Sequence, residues 1–161
     1  MAELRNDSGS LRLALDLAGG APTPPALPGE QGEGWLLASA RLQTHDRRDG
    51  EWWPLVGLPV IYLSRCSLEE LLRALRALLQ GGSPGFAWRP GDDALIGLQL
   101  SATPAGAAVE VGLDLGAFLA EVAGVPRRPG AELSLFRFLA AQADLVRFSD
   151  ALALELGAPG P

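Results

Sequence analysis

The chain has 161 residues, 48% of them apolar and 20% charged, and all 13 of its basic residues are arginine; this balance describes one globular domain spanning residues 1–161 and excludes a disordered chain. A formal net charge of −6 argues against sequence-independent nucleic-acid binding, which needs a basic surface to neutralise phosphates. No apolar run reaches the ~20 residues of a membrane helix, a lone cysteine can make no internal disulfide, and no leader pattern opens the chain, so a cytoplasmic protein is expected.

Leu11–Leu17 alternates strictly, with four leucines on one face and Arg12, Ala14 and Asp16 on the other, which predicts a strand. From Ala18 to Gly34 prolines and glycines dominate, and a surface loop is expected. Trp35–Gln43 alternates again, with Leu36, Ala38, Ala40 and Leu42 on one face. A polar tip at 44–50 leads into Trp52–Ser64, the second arm of a long hairpin. Both faces of that arm are apolar, so it reads as a central strand covered on both sides, bent or bulged at Pro54 and Pro59.

Ser67-Leu68-Glu69-Glu70 has the form of a capping box. Behind it Leu68, Leu71, Leu72, Leu75, Leu78 and Leu79 recur at helical spacing, and Gly81-Gly82 ends the helix. A short strand is expected at Phe86–Trp88. Two more, Ala94–Ala102 and Ala107–Leu115, are joined by a tight turn at Thr103–Gly106. In the second of these, Glu110 and Asp114 are expected to face out.

Gly116–Gly124 fits a short helix and Pro126–Gly130 a turn. Glu132–Leu139 fits either a strand or the start of a helix. The strand is the preferred reading, followed by a helix from about Gln142 whose stripe is Leu145, Phe148, Leu152 and Leu156, stopped at Gly157 and followed by a flexible tail, 157–161. The expected fold is α+β: an antiparallel curved sheet or two-sheet sandwich of about seven strands, with two main helices packed on it.

Three segments resemble the WapI-type bacterial immunity family: Leu68-Glu69-Glu70-Leu71-Leu72-Arg73-Ala74-Leu75, Phe86-Ala87-Trp88-Arg89-Pro90, and Ala143-Asp144-Leu145-Val146-Arg147-Phe148. The resemblance covers roughly residues 10–156 and implies a cytoplasmic protein that binds and neutralises a cognate toxin without chemistry of its own. The Pro-rich 18–34 loop and the 126–130 insertion depart from it.

The side chains offer little to catalyse with. His45 has only Asp46 beside it in sequence, and a nucleophile with an orienting group is missing, so it reads as a solvated loop residue. Cys66 reads as a small core residue. Asp92-Asp93 lacks the oxygen-rich spacing of a cation loop and reads as a turn. Phosphate-loop and dinucleotide fingerprints are absent, and neither a catalytic residue, a metal nor a cofactor is expected.

What remains is binding. Trp52-Trp53 must send its two indoles to opposite faces, and an exposed tryptophan beside arginines has the composition of an interface anchor. Trp52, Asp92, Asp93, Glu110 and Asp114 are the candidate partner-binding set, an acidic patch with an apolar edge suited to a basic toxin domain. The partner is expected to be a protein, with neither nucleic acid nor membrane involved. The alternative is an assembly adaptor of a multi-protein bacterial complex, with a homodimer as one form.

Overall fold

The protein is described from a computed structural model, which covers residues 1–20, 34–46, 48–91, 95–116 and 133–157. Its elements fall into two runs of four strands and a helix. The first comprises β1 (Ala2–Arg5), β2 (Leu11–Gly20), β3 (Trp35–His45), β4 (Trp52–Ser64) and α1 (Arg65–Leu79). The second comprises β5 (Gly85–Trp88), β6 (Ile96–Thr103), β7 (Gly106–Leu113), β8 (Ser134–Ala141) and α2 (Gln142–Glu155). Each run makes an antiparallel four-stranded sheet in chain order, β1-β2-β3-β4 and β5-β6-β7-β8. The class is α+β, as the alternation and helical stripes predicted.

The two runs repeat each other at their corners. Each fourth strand passes into its helix without a loop, through a residue in extended conformation: Ser64 (φ −74, ψ 145) and Ala141 (φ −69, ψ 153). The first amide of each helix then donates to the carbonyl just before the third strand of its own sheet, Arg65 N to Gly34 O at 3.0 Å and Gln142 N to Ala105 O at 3.2 Å. A helix leaves its first amides without intrahelical partners, and here a strand end supplies one. Both helices also end at a left-handed glycine, Gly81 (φ 72) and Gly157 (φ 61), the conformation that only a residue without Cβ adopts cheaply.

One apolar cluster runs through both halves. α1 packs on β4 and reaches β5, while α2 packs on β7 and β8 and reaches β1, and the two helices touch each other. Each helix therefore covers the first strand of the other half. The buried Trp88 of β5 fastens this exchange, its Nε1 donating to Ser67 O at 2.8 Å and to Ser67 Oγ at 3.1 Å.

Several expectations are corrected. The α1 cap is Ser64, whose Oγ accepts from Ser67 N at 3.1 Å, so the helix begins at Arg65, and Ser67 is buried against Trp88 instead of capping. Glu69 pairs with Arg65 at 2.9 Å. β2 runs on to Gly20, past the point where a loop was expected, with a register shift between Ala18 and Gly20; most of the rest of that loop, like the helix and turn read at 116–130 and the end of the tail, lies outside the described residues. β1, with only two inward residues, gave no alternation to read.

The largest correction concerns β4. It is the edge strand of the first sheet among the described residues, not a strand covered on both faces. Register shifts against β3 between Ala38 and Ala40 and between Leu42 and Gln43 change which residues point inward. Leu58, Ile61 and Leu63 are buried, whereas Trp53, Leu55, Val60 and Tyr62 are exposed. Two bulges defeat simple alternation, since each adds one residue and reverses the phase.

Leu75 is wholly buried at the centre of the α1 stripe. Leu75→Asp should unfold the protein, because an unpaired buried carboxylate costs several kcal/mol against a total stability of about 5–15. Circular dichroism melting checks this; a variant that melts with the parent would mean the stripe faces elsewhere.

Candidate protein-interaction surfaces

The outer face of the first sheet is closed by its own side chains. Register sets Arg5, Arg12, Gln43 and Pro54 in a row across β1 to β4, with Glu3 and Trp52 two residues along their strands from that row. Arg12 donates from Nε to Gln43 Oε1 at 3.0 Å and from Nη1 to Glu3 Oε1 at 2.5 Å, and Arg5 Nη2 donates to Glu3 Oε2 at 2.8 Å. The Arg12 guanidinium carbon lies 4.2 Å from the centroid of the Trp52 ring and that of Arg5 lies 5.6 Å away, a cation–π arrangement. His45 lies against the same indole, ring centroids 5.0 Å apart. Burial raises the Glu3 carboxyl, but hydrogen bonds and charges from Arg5 and Arg12 outweigh that effect and hold it below its ordinary value of 4.5.

Trp52 is thus half-buried beneath arginine, and its neighbour Trp53 is the exposed indole, 52% accessible. The sequence separated the two faces but could not rank them, because the covering arginines come from β1 and β2. His45 joins this layer and is not a solvated loop residue. Its neighbour Asp46 is spent on the hairpin tip, where Oδ1 accepts from Arg48 N at 2.8 Å. Cys66 is exposed in the first turn of α1, and not a core residue. Among the described residues no three His, Cys, Asp or Glu side chains gather as metal ligands.

The acidic candidates do not assemble as expected. Asp114 is fully buried just past the end of β7, its amide donating to Leu95 O at 2.8 Å, because β7 ends at Leu113 and the alternation ends with it. Glu110 does face out, yet Arg137 of β8 stands opposite and donates from Nε to Glu110 Oε2 at 2.5 Å. Asp92 and Asp93 lie outside the described residues. Trp52 belongs to the first sheet and Glu110 to the second, so the proposed patch is divided between two sheets.

Around Glu110 the second sheet carries an open groove that the sequence reading missed. Its floor is Gly97 and Gly112, bordered by Gln99 and Glu110, with Arg89 on one side and Leu133 and Leu135 on the other, enclosing about 460 Å³. A second hollow of about 310 Å³ continues past Glu110 to Arg137 and Leu139. The glycine at 112 makes room for Leu133: a Cβ there would come within 2.8 Å of Leu133 Cδ1 and would have to displace that side chain. Leu135 and Leu139 are exposed. The sequence signal was the small residues on either side of Gln99 and Glu110 along one face, Gly97 and Ser101 in β6 and Ala108 and Gly112 in β7.

The edge strand β4 forms a separate apolar surface. Trp53, Leu55, Val60 and Tyr62 are 52%, 56%, 49% and 47% exposed, and no charged residue occurs between Trp52 and Ser64. They do not share one face, since Trp53 stands opposite Thr44 on the side of buried Leu42 and Tyr62 opposite Leu37 on the other side, so the edge exposes apolar side chains on both faces of the sheet.

No protein-family model matches the chain, and no curated protein matches it. Among solved structures it is similar to the plant transcriptional regulator PBF-2, with a TM-score of 0.47 and 9% identity, covering 92% of this chain and 83% of that one.

The Glu3 layer makes a pH-dependent contribution with a defined sign. Folded Glu3 holds its proton less tightly than unfolded Glu3, so the stabilisation is complete above 4.5 and fades as the pH falls through the lowered folded value. Glu3→Gln should cost about 1 kcal/mol at neutral pH, the scale of a partly solvated charge-assisted pair. Urea unfolding across a pH series should show the difference from wild type shrinking below about pH 4; a constant difference would assign the effect to something other than the carboxylate charge.

Proposed function

We propose that this chain is a non-catalytic, cytoplasmic protein-binding domain that acts as a bacterial immunity protein, neutralising a cognate toxin. The observation that carries the reading is the groove on the second sheet. A floor of small residues, exposed Leu135 and Leu139, and the Glu110–Arg137 pair combine apolar area with polar groups that fix orientation, which is how protein-binding surfaces are composed. The resemblance of the α1, β5 and α2 segments to the WapI-type family supports the same direction. The net charge of −6 favours a basic partner through faster encounter. No helix among the described residues is long and apolar enough to cross a membrane.

A second reading, an assembly adaptor working as a homodimer, is favoured by the separate apolar edge of β4. The two readings use different surfaces, so they can be tested apart.

The test of the first is titration calorimetry of the purified chain with a catalytically inactive form of the toxin encoded by the adjoining reading frame. A 1:1 complex is expected. The Leu135→Glu/Arg137→Glu variant should weaken it at least tenfold, or about 1.4 kcal/mol, with unchanged melting, because both side chains are exposed. Full affinity in that variant would remove the groove from the interface, and the absence of any complex would overturn the immunity reading.

A further inference from the structure

We infer that the partner segment held in the groove is anchored by an acidic side chain, whose carboxylate pairs with Arg89 while an adjoining apolar side chain lies on the floor of Gly97 and Gly112. This rests on the reading of the groove as the partner-binding surface and adds the chemistry of what enters it. Register lays two rows across the second sheet. In one, Arg89 follows Trp88, whose partner is Leu98, and so stands beside Gly97, which pairs with Gly112, which pairs with Leu135. In the other stand Ala87, Gln99, Glu110 and Arg137. Across the glycine floor the Arg89 stem faces Leu133: a Cβ on Gly97 would come within 3.4 Å of Arg89 Cγ and 3.5 Å of Leu133 Cδ1.

Charge decides what fits there. Glu110 is matched within the chain, accepting from Arg137 Nε at 2.5 Å on the β8 side of the sheet, away from β5. Arg89 is exposed and makes no hydrogen bond or ion pair with any described residue. Among the described residues the groove thus has two arginines to one glutamate and is locally positive. A cationic side chain entering it meets like charge. A wholly apolar one covers the Arg89 guanidinium without pairing it, which costs affinity. A carboxylate matches the planar guanidinium fork, and the apolar wall of Leu133 and Leu135 opposite excludes water from one side of the pair. The net charge of −6 does not oppose this, because overall charge governs encounter at long range and the contacting groups govern what is retained.

The test is an NMR titration of the full isotope-labelled chain with N-acetyl-leucyl-glutamate amide and its glutamine and lysine counterparts, to about 20 mM, since ligands of this size bind in the millimolar range. The glutamate peptide should move the Gly97 and Gly112 amide resonances and saturate. The other two should bind about fivefold more weakly, the scale of one partly solvated ion pair. Arg89→Gln should abolish the preference with unchanged melting, whereas Arg73→Gln, on the exposed side of α1, should keep it. Absence of binding, equal binding of the three peptides, a preference for lysine, or a preference that survives Arg89→Gln overturns the proposal. In the toxin titration Arg89→Gln should weaken the complex by a similar factor. A toxin complex lost in Leu135→Glu/Arg137→Glu but unchanged by Arg89→Gln keeps the immunity reading and overturns the acidic anchor, whereas glutamate-selective binding by a chain that forms no toxin complex overturns the immunity reading alone.

Discussion

Everything in this structure depends on an apolar core that neither ββββα run could close alone. A sheet of four strands buries only one face against one helix, and a unit of that size is marginal because its surface is large for its volume. Here each helix extends across to the first strand of the other sheet, α1 to β5 and α2 to β1, and the two helices meet between them. The apolar cluster is continuous for that reason. The corners enforce the exchange. With the first amide of each helix tied to the carbonyl ahead of the third strand, the direction of the helix is set by its own sheet, and the bulk it carries must find a surface on the other half. Trp88 marks how tightly the two halves are joined, since its indole nitrogen is satisfied only by Ser67 of the opposite run.

How much of this was legible follows from how local each signal is. The leucines of β2 and of α1, and the stripe of α2, all read correctly because their periods run unbroken for two or more turns or pleats. The strand-then-helix reading of 132–156 was right to within two residues. What failed was whatever depends on a phase change or on a distant neighbour. Ser64 and Ser67 both precede the leucine stripe, and choosing the cap needed the Trp88 indole that occupies Ser67. In β4 two shifts of register reversed the faces, so a strand apolar on both sides by alternation proved to be an edge with one buried set, Leu58, Ile61 and Leu63, and one exposed set. Asp114 failed by one residue, the strand having ended before it.

The candidate binding residues failed for a related reason. Charge counted along the chain says nothing about cross-strand pairing. Arg137 stands opposite Glu110 only because β8 pairs with β7 in that register, and Trp52 is covered because β1 and β2 present Arg5 and Arg12 on the same outer face. The outer faces of the two sheets have consequently diverged although their topology is the same. On the first, long charged side chains lie down over an indole and satisfy one another, a self-contained layer that leaves few groups for a ligand. On the second, glycine, alanine and serine flank a central row of Gln99, Glu110 and Arg137, so the sheet stays open on either side of that row.

The edges show a parallel division. A β-sheet edge must be shortened, charged, covered or paired, and three of the four edges meet that need within the chain: β5 by brevity, β1 by α2, β8 by the Asp7 amide. β4 meets it with neither charge nor brevity. Its prolines weaken main-chain addition while leaving Trp53, Leu55, Val60 and Tyr62 in solvent, which protects against fibre-like extension but not against a closed side-chain contact. An edge treated in this way resists strand addition through its missing amides and its bulges, where the other edges rely on brevity or cover.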